Sequence, residues 1–175
     1  THEHNDHISG AGVISRRYKI PLIINELTLE SATEKLGKLN ETVLFSPGDS
    51  IEVGDLTIRS FRTSHDTADP VGFVISCGEK NLGYLTDTGK VSHLMAQRLL
   101  NCQAVILEFN HDLEMLKFGP YPLPLQQRVR SSRGHLSNDD AAEFLQELME
   151  GAVSEGVLAH LREKNNTVEL ATVAA

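Results

Sequence analysis

The sequence predicts a mixed α/β sandwich built as a single domain. Apolar runs of strand length recur along it, among them IPLIIN (20–25), VGFVISC (71–77) and AVILEFN (104–110). Stretches of helical periodicity separate these runs. A GEKN turn joins two of the strands as a hairpin, so the sheet is not purely parallel. A chain of 175 residues buries one sizeable core, which favours one domain spanning 1–175.

After an opening loop, residues 10–18 read as a short helix and 20–25 as a strand. Residues 28–36 then suggest a helix begun by Thr28 or Ser31. From Ser46 the texture changes: SPGDSIEVGD is turn-rich, residues 55–61 alternate, and 71–77 form a buried strand that turns into LGYLTD (82–87). This middle section reads as an antiparallel meander. Residues 92–100 have helical periodicity, 104–110 form a buried strand, and 120–133 are a Pro-punctuated loop plus helix. Ser137 with Asp140 makes a capping start for 138–150, an amphipathic helix with Ala141, Ala142, Leu145 and Leu148 on one face. Residues 156–161 are a last short strand, and there is no internal repeat, low-complexity tract or linker.

A formal net charge of −8 excludes broad, non-specific adhesion to nucleic acid, which needs a basic face. It does not exclude a nuclease, because bound divalent cations reset the local field. Arg128, Arg130 and Arg133 form a small basic cluster whose plain reading is a solvated helix end. No run approaches the ~20 apolar residues of a membrane span, and no signal-peptide shape opens the chain, so a cytoplasmic location is expected. Cys77 and Cys102 fit neither a disulfide framework nor a zinc-knuckle spacing and read as reduced core thiols. Met95, Met115 and Met149 read as core filler, and His93 as an ordinary helix residue.

The chemistry is concentrated in THEHNDH (1–7), where three imidazoles and a carboxylate fall within six residues. A loop there can turn His2 and His4 one way and Asp6 and His7 another, which suits two adjacent metals. Imidazole and carboxylate donors without a Cys favour zinc, with manganese or iron also compatible. Two sites need more donors than one loop provides, and suitable groups recur at strand ends. His65 precedes the strand at 71, Asp87 ends LGYLTD, and His160 follows GVLA.

THEHNDH resembles the HxHxDH signature of metallo-β-lactamase-fold hydrolases. Together with SHD, TDTG, EFNHD, GPYPLPLQQRV, RGHLSN and LAHLREKNNT, it is similar to the YycJ/WalJ-type exonuclease branch of that fold. The resemblance runs through nearly the whole chain and implies an αββα sandwich. It also implies that His2, His4 and His65 hold one metal, Asp6, His7 and His160 a second, and Asp87 bridges them. His135 matches a non-ligand histidine that contacts the scissile phosphate or protonates the leaving oxygen, although the two roles of His135 and His160 can be exchanged. Glu108, His111 and Asp112 stand where related phosphodiesterases carry supporting and proton-transfer groups. The resemblance further implies a sheet region before HxHxDH and strands after the last motif, so a domain truncated at both ends is expected. Arg162 stands where a small hydroxyl residue is expected.

Two metals that share a water lower its pKa toward neutrality, Asp6 can orient or deprotonate it, and His135 can supply the proton the leaving oxygen needs. The expectation is a dimetal phosphodiesterase acting on nucleic acid, and from the resemblance a DNA exonuclease. A common dizinc β-lactamase would carry a Cys at Asp87, a diiron flavoprotein partner an acidic group at His4, and a β-CASP nuclease a long insertion between Asp87 and His135. A glyoxalase-type thioester hydrolase has a similar donor set, opposed by Glu108, His111 and GHLS. The non-enzymatic alternative is an inactive, truncated metal-binding scaffold.

Overall fold

A computed structural model describes all residues, 1–175. The chain opens with one helical turn, α1 (Asn5–Ile8), followed by α2 (Ala11–Tyr18), β1 (Pro21–Asn25), α3 (Glu26–Leu36) and β2 (Glu41–Phe45). Strands β1 and β2 pair in parallel as a small sheet, with Pro21 opposite Glu41 and Asn25 opposite Phe45. Then come β3 (Ser50–Val53), β4 (Leu56–Arg62), β5 (Val71–Cys77), β6 (Lys80–Leu85), α4 (His93–Leu99) and β7 (Ala104–Glu108). The chain finishes with α5 (Leu113–Phe118), α6 (Leu123–Val129), α7 (Asn138–Met149), β8 (Glu155–Ala159) and α8 (Val168–Ala174).

The larger sheet runs in the order β3-β4-β5-β6-β7-β8. Its first four strands are the expected antiparallel meander, and β6, β7 and β8 are parallel. Strands β4, β6, β7 and β8 therefore share one direction, and their carboxyl ends open onto one edge of the sheet. Ligands of α/β sheets collect at such an edge. The main core lies between this sheet and its helices, with Phe61, Leu85, Leu99, Leu107, Phe109, Leu145 and Leu148 buried together. A smaller cluster of Ile8, Ile24, Ala32 and Leu36 ties α1 and α3 to the small sheet. No helix is long and apolar enough to cross a membrane.

Several details depart from the sequence expectation. Helix α3 starts before Thr28 because Asn25, the last residue of β1, also caps it, accepting from the Thr28 amide at 2.8 Å. The opening motif bends at Glu3 and His4 and then turns helical, where a plain loop was expected. The turn-rich stretch after Ser46 contains β3, and β2, α5 and α8 were not foreseen. Each of these is short, and both unforeseen helices are begun by a single capping side chain, Asp112 for α5 and Thr167 for α8. Cys102 is buried but Cys77 is exposed, so only one of the two is a core thiol. Met95 is core, whereas Met149 is 60% exposed at the end of α7. His93 is exposed on α4.

Candidate metal centre

The backbone of the opening motif sorts its own side chains. The His2 and His4 rings pack edge to face with centroids 4.7 Å apart, and the turn of α1 redirects Asp6 and His7. Around them the sheet edge supplies the rest. His65 follows β4, Asp87 follows β6, Glu108 ends β7 and His160 follows β8.

Asp87 is the hub of this cluster, with its side chain only 2% exposed. Its Oδ2 lies 3.3 Å from His7 Nε2. Its Oδ1 lies 3.7 Å from both His65 Nε2 and His160 Nε2, and 4.0 Å from His2 Nε2. Asp6 Oδ2 lies 3.6 Å from His7 Nε2 and 3.7 Å from His160 Nε2, while His4 Nδ1 and His65 Nε2 are 3.3 Å apart. Two sets of donors thus converge, His2 with His4 and His65, and Asp6 with His7 and His160. The residues His2, His7 and Asp87 also close together, linking the two sets.

The opposite ring nitrogens are already engaged, which aims the free ones inward. The Thr1 hydroxyl lies 3.1 Å from His2 Nδ1 and 3.0 Å from His7 Nδ1. His65 Nδ1 donates to the Gly134 carbonyl at 2.9 Å. His160 Nδ1 and His135 Nδ1 each lie 3.1 Å from Glu108 Oε2. Such outer partners fix ring orientation in metal sites.

The donor set fits divalent metals on three counts. First, His2 Nε2 and Asp87 Oδ2 are buried with no hydrogen-bond partner, an arrangement that costs about 1–3 kcal/mol per atom unless something else satisfies it. Secondly, the 3.3 Å gaps match donors about 3.3 Å apart around an ion held at ~2.0 Å. Thirdly, burial pushes His2 down to about 2, reinforced by its histidine neighbours, and burial likewise lowers His7 and His65. Neutral imidazole is the form that binds a metal.

Backbone strain concentrates here too. Asp87 (φ 59°) and His160 (φ 56°) are left-handed, a conformation that costs a non-glycine residue on the order of 1 kcal/mol or more. Both are held from outside. Thr63 Oγ1 donates to the Asp87 carbonyl at 3.0 Å, and Asn110 Nδ2 donates to the His160 carbonyl at 3.2 Å. The turn after Asp87 packs so closely on the loop before His135 that a Cβ on Gly89 would sit 2.2 Å from the Ser131 carbonyl oxygen.

Burial alone would raise the Glu108 carboxyl, but hydrogen bonds from His135 and His160 override it and bring the group down to about 2. Glu108 Oε1 also accepts the amides of Thr88 and Leu136, so the buried carboxylate is saturated. For His160 the balance goes upward, because Glu108, Asp87 and Asp6 outweigh its burial. His111 is 1% exposed, does not line the cleft, and is pushed down to about 4 by burial and then by His135. Asp112 is spent on capping α5, through a 2.8 Å bond to the Met115 amide, so it is no proton-transfer group.

A cleft of about 300 Å³ opens over the cluster, lined by His4, Asp6, His65, Asp87 and His135 with only Leu125 and Val129 as apolar walls. Lys35, Arg128 and Arg162 also line it, a feature invisible in the sequence because three separate elements contribute them. Arg128 is not on a merely solvated helix end: it ion-pairs with Asp66. Arg133 likewise donates twice to the His65 carbonyl, at 3.1 and 3.2 Å. Thr1 and Asn110 were also unforeseen, since a lone hydroxyl or amide carries no motif.

Residues 1–165 match the family model described as the beta-lactamase superfamily domain. The chain is 38% identical over 176 residues to the exodeoxyribonuclease YycJ of Bacillus anthracis, a match that covers 99% of this chain and 67% of that protein. It is 39% identical over 175 residues to the exodeoxyribonuclease WalJ of Streptococcus pneumoniae serotype 2 (strain D39), covering 98% and 65%. The chain thus spans about two thirds of the length of these relatives, and just under that of WalJ. The crystal structure of the metallo-β-lactamase fold protein YhfI from Bacillus subtilis superposes with a TM-score of 0.76 at 20% identity, covering 99% of this chain and 68% of that one.

Proposed function

The chain belongs to the metallo-β-lactamase superfamily of hydrolases, and from that premise we propose that it is a two-metal phosphodiesterase that shortens DNA from an end. The observation that carries this reading is the pair of donor sets meeting at the buried Asp87 beneath a polar cleft. The names of the relatives at 38–39% identity support the choice of DNA.

In this reading His2, His4 and His65 would hold one divalent ion and Asp6, His7 and His160 the second, with Asp87 available to both sets. Zinc suits these donors, with manganese or iron as alternatives. When bound, such ions supply an activated water and offset the charge that develops on a phosphoryl oxygen. The chain's own groups do the remaining work. Asp6, exposed at the cleft mouth, orients the attacking water and takes its proton. Glu108 accepts from His135 Nδ1 and fixes that ring, so that Nε2 carries the proton given to the leaving oxygen. Glu108 orients His160 in the same way.

The test supplies manganese or zinc and offers 5′-labelled duplex DNA, RNA and a lactoylglutathione-type thioester in parallel. Progressive shortening of the DNA is expected. Turnover of the thioester alone would overturn the proposal.

A further inference from the structure

We propose that Lys35 and Arg162 form a rim that binds backbone phosphates other than the one being cleaved, an inference that takes its substrate class from the phosphodiesterase reading. The cleft holds about 300 Å³, at the low end for ligand sites, so a nucleic-acid chain longer than about one nucleotide must continue over its edge. A protein with net charge −8 repels a polyanion over most of its surface, and attraction at the mouth has to be local.

The three cations of the cleft are not equivalent. Arg128 is neutralised by Asp66. Arg162 has no carboxylate within ion-pair distance, and its side chain is exposed. Its amide donates to the Asn110 carbonyl at 3.0 Å, which pins its backbone two residues beyond His160. Lys35 Nζ meets only the Glu3 carbonyl, at 3.1 Å, so its charge is also uncompensated. Glu3 lies between His2 and His4, so Lys35 stands beside the first donor set and Arg162 beside the second. A strand whose scissile phosphate sits over Asp87 then offers neighbouring phosphates to both.

The test is the salt dependence of binding of a fluorescein-labelled, phosphorothioate-linked single-stranded 12-mer in manganese, read by anisotropy. Arg162→Ala and Lys35→Ala should each weaken binding several-fold and flatten the log Kd against log salt slope by about 0.7, the value for one lost phosphate contact on a single strand. Arg162→Lys should restore most of the slope, and Lys80→Ala, remote on the β5–β6 hairpin, should change neither quantity. Unchanged slopes in both rim variants, an equal loss in Lys80→Ala, or no binding by the parent protein would each overturn the rim. Hydrolysis by the parent of bis(4-nitrophenyl) phosphate, a diester with no flanking phosphate, tests the catalytic reading separately from the rim. If the parent hydrolyses neither this diester nor DNA while the slopes still flatten, the catalytic reading falls and the rim stands. If DNA is cleaved and the slopes do not move, the rim alone falls.

Discussion

Glu108 Oε2 lies 3.1 Å from His160 Nδ1, and the carboxylate that makes this contact is wholly buried at the end of β7. The contact leaves His160 Nε2 facing Asp6 and Asp87, at 3.7 Å from each. Glu108→Gln keeps the shape of the side chain and removes the charge. Metal affinity should fall about 10–100-fold, as is usual when the outer partner of a ligating histidine is lost. Zinc titration against a competing chelator measures it, and unchanged affinity would show that Glu108 does not orient the ligand.

His135 and His160 share this one carboxylate oxygen, yet their second nitrogens serve different ends in the proposed mechanism. His160→Ala should bind one metal fewer per chain. His135→Ala should keep full metal content while losing ~100-fold or more in kcat, the usual weight of a general acid. Metal analysis of the purified variants beside their kinetics separates the two. Metal loss in His135→Ala with retention in His160→Ala would exchange the roles.

That pair also shows how much the sequence reveals. The seven proposed donors could be named because the opening motif is dense and the others sit at strand ends, where periodicity stops. The roles of His135 and His160 stayed interchangeable, since each simply follows a short segment without a distinguishing neighbour. Both rings lie against Asp87 and Glu108, and of the two only His160 is also grouped with Asp6 and His7. Longer elements such as α7 and the β4 to β6 meander were legible from periodicity and capping. Short ones such as β2 and α5 were not, because their stability comes from pairing partners and one capping carboxylate rather than from a pattern of their own. The cations of the cleft come from α3, α6 and the loop after β8, and only tertiary structure brings them together.

His111 gives a pH signature independent of metal. Buried and held near 4, it stays neutral in the folded protein while its unfolded counterpart takes up a proton near 6.5. The unfolded state therefore binds more protons between these values, so this contribution is complete above pH 6.5 and is lost as pH falls toward 4. The loss is up to about 3 kcal/mol at ~1.4 kcal/mol per pH unit. His111→Leu should flatten the dependence of Tm on pH over that interval, as followed by thermal denaturation of the metal-free protein. An identical pH dependence in parent and variant would contradict the assignment.

In the proposed mechanism a metal-loaded cluster around Asp87 cuts phosphodiester bonds, with Asp6 handling the proton of the attacking water. Asp6 is the proposed ligand whose loss should disturb the fold least, since its side chain is 57% exposed. The most direct measurement compares cleavage of 5′-labelled DNA by the parent protein and Asp6→Ala in manganese, with circular dichroism confirming that both are folded. Progressive shortening by the parent and a loss of at least ~100-fold in the variant are expected. Equal cleavage by the two folded proteins would contradict the mechanism.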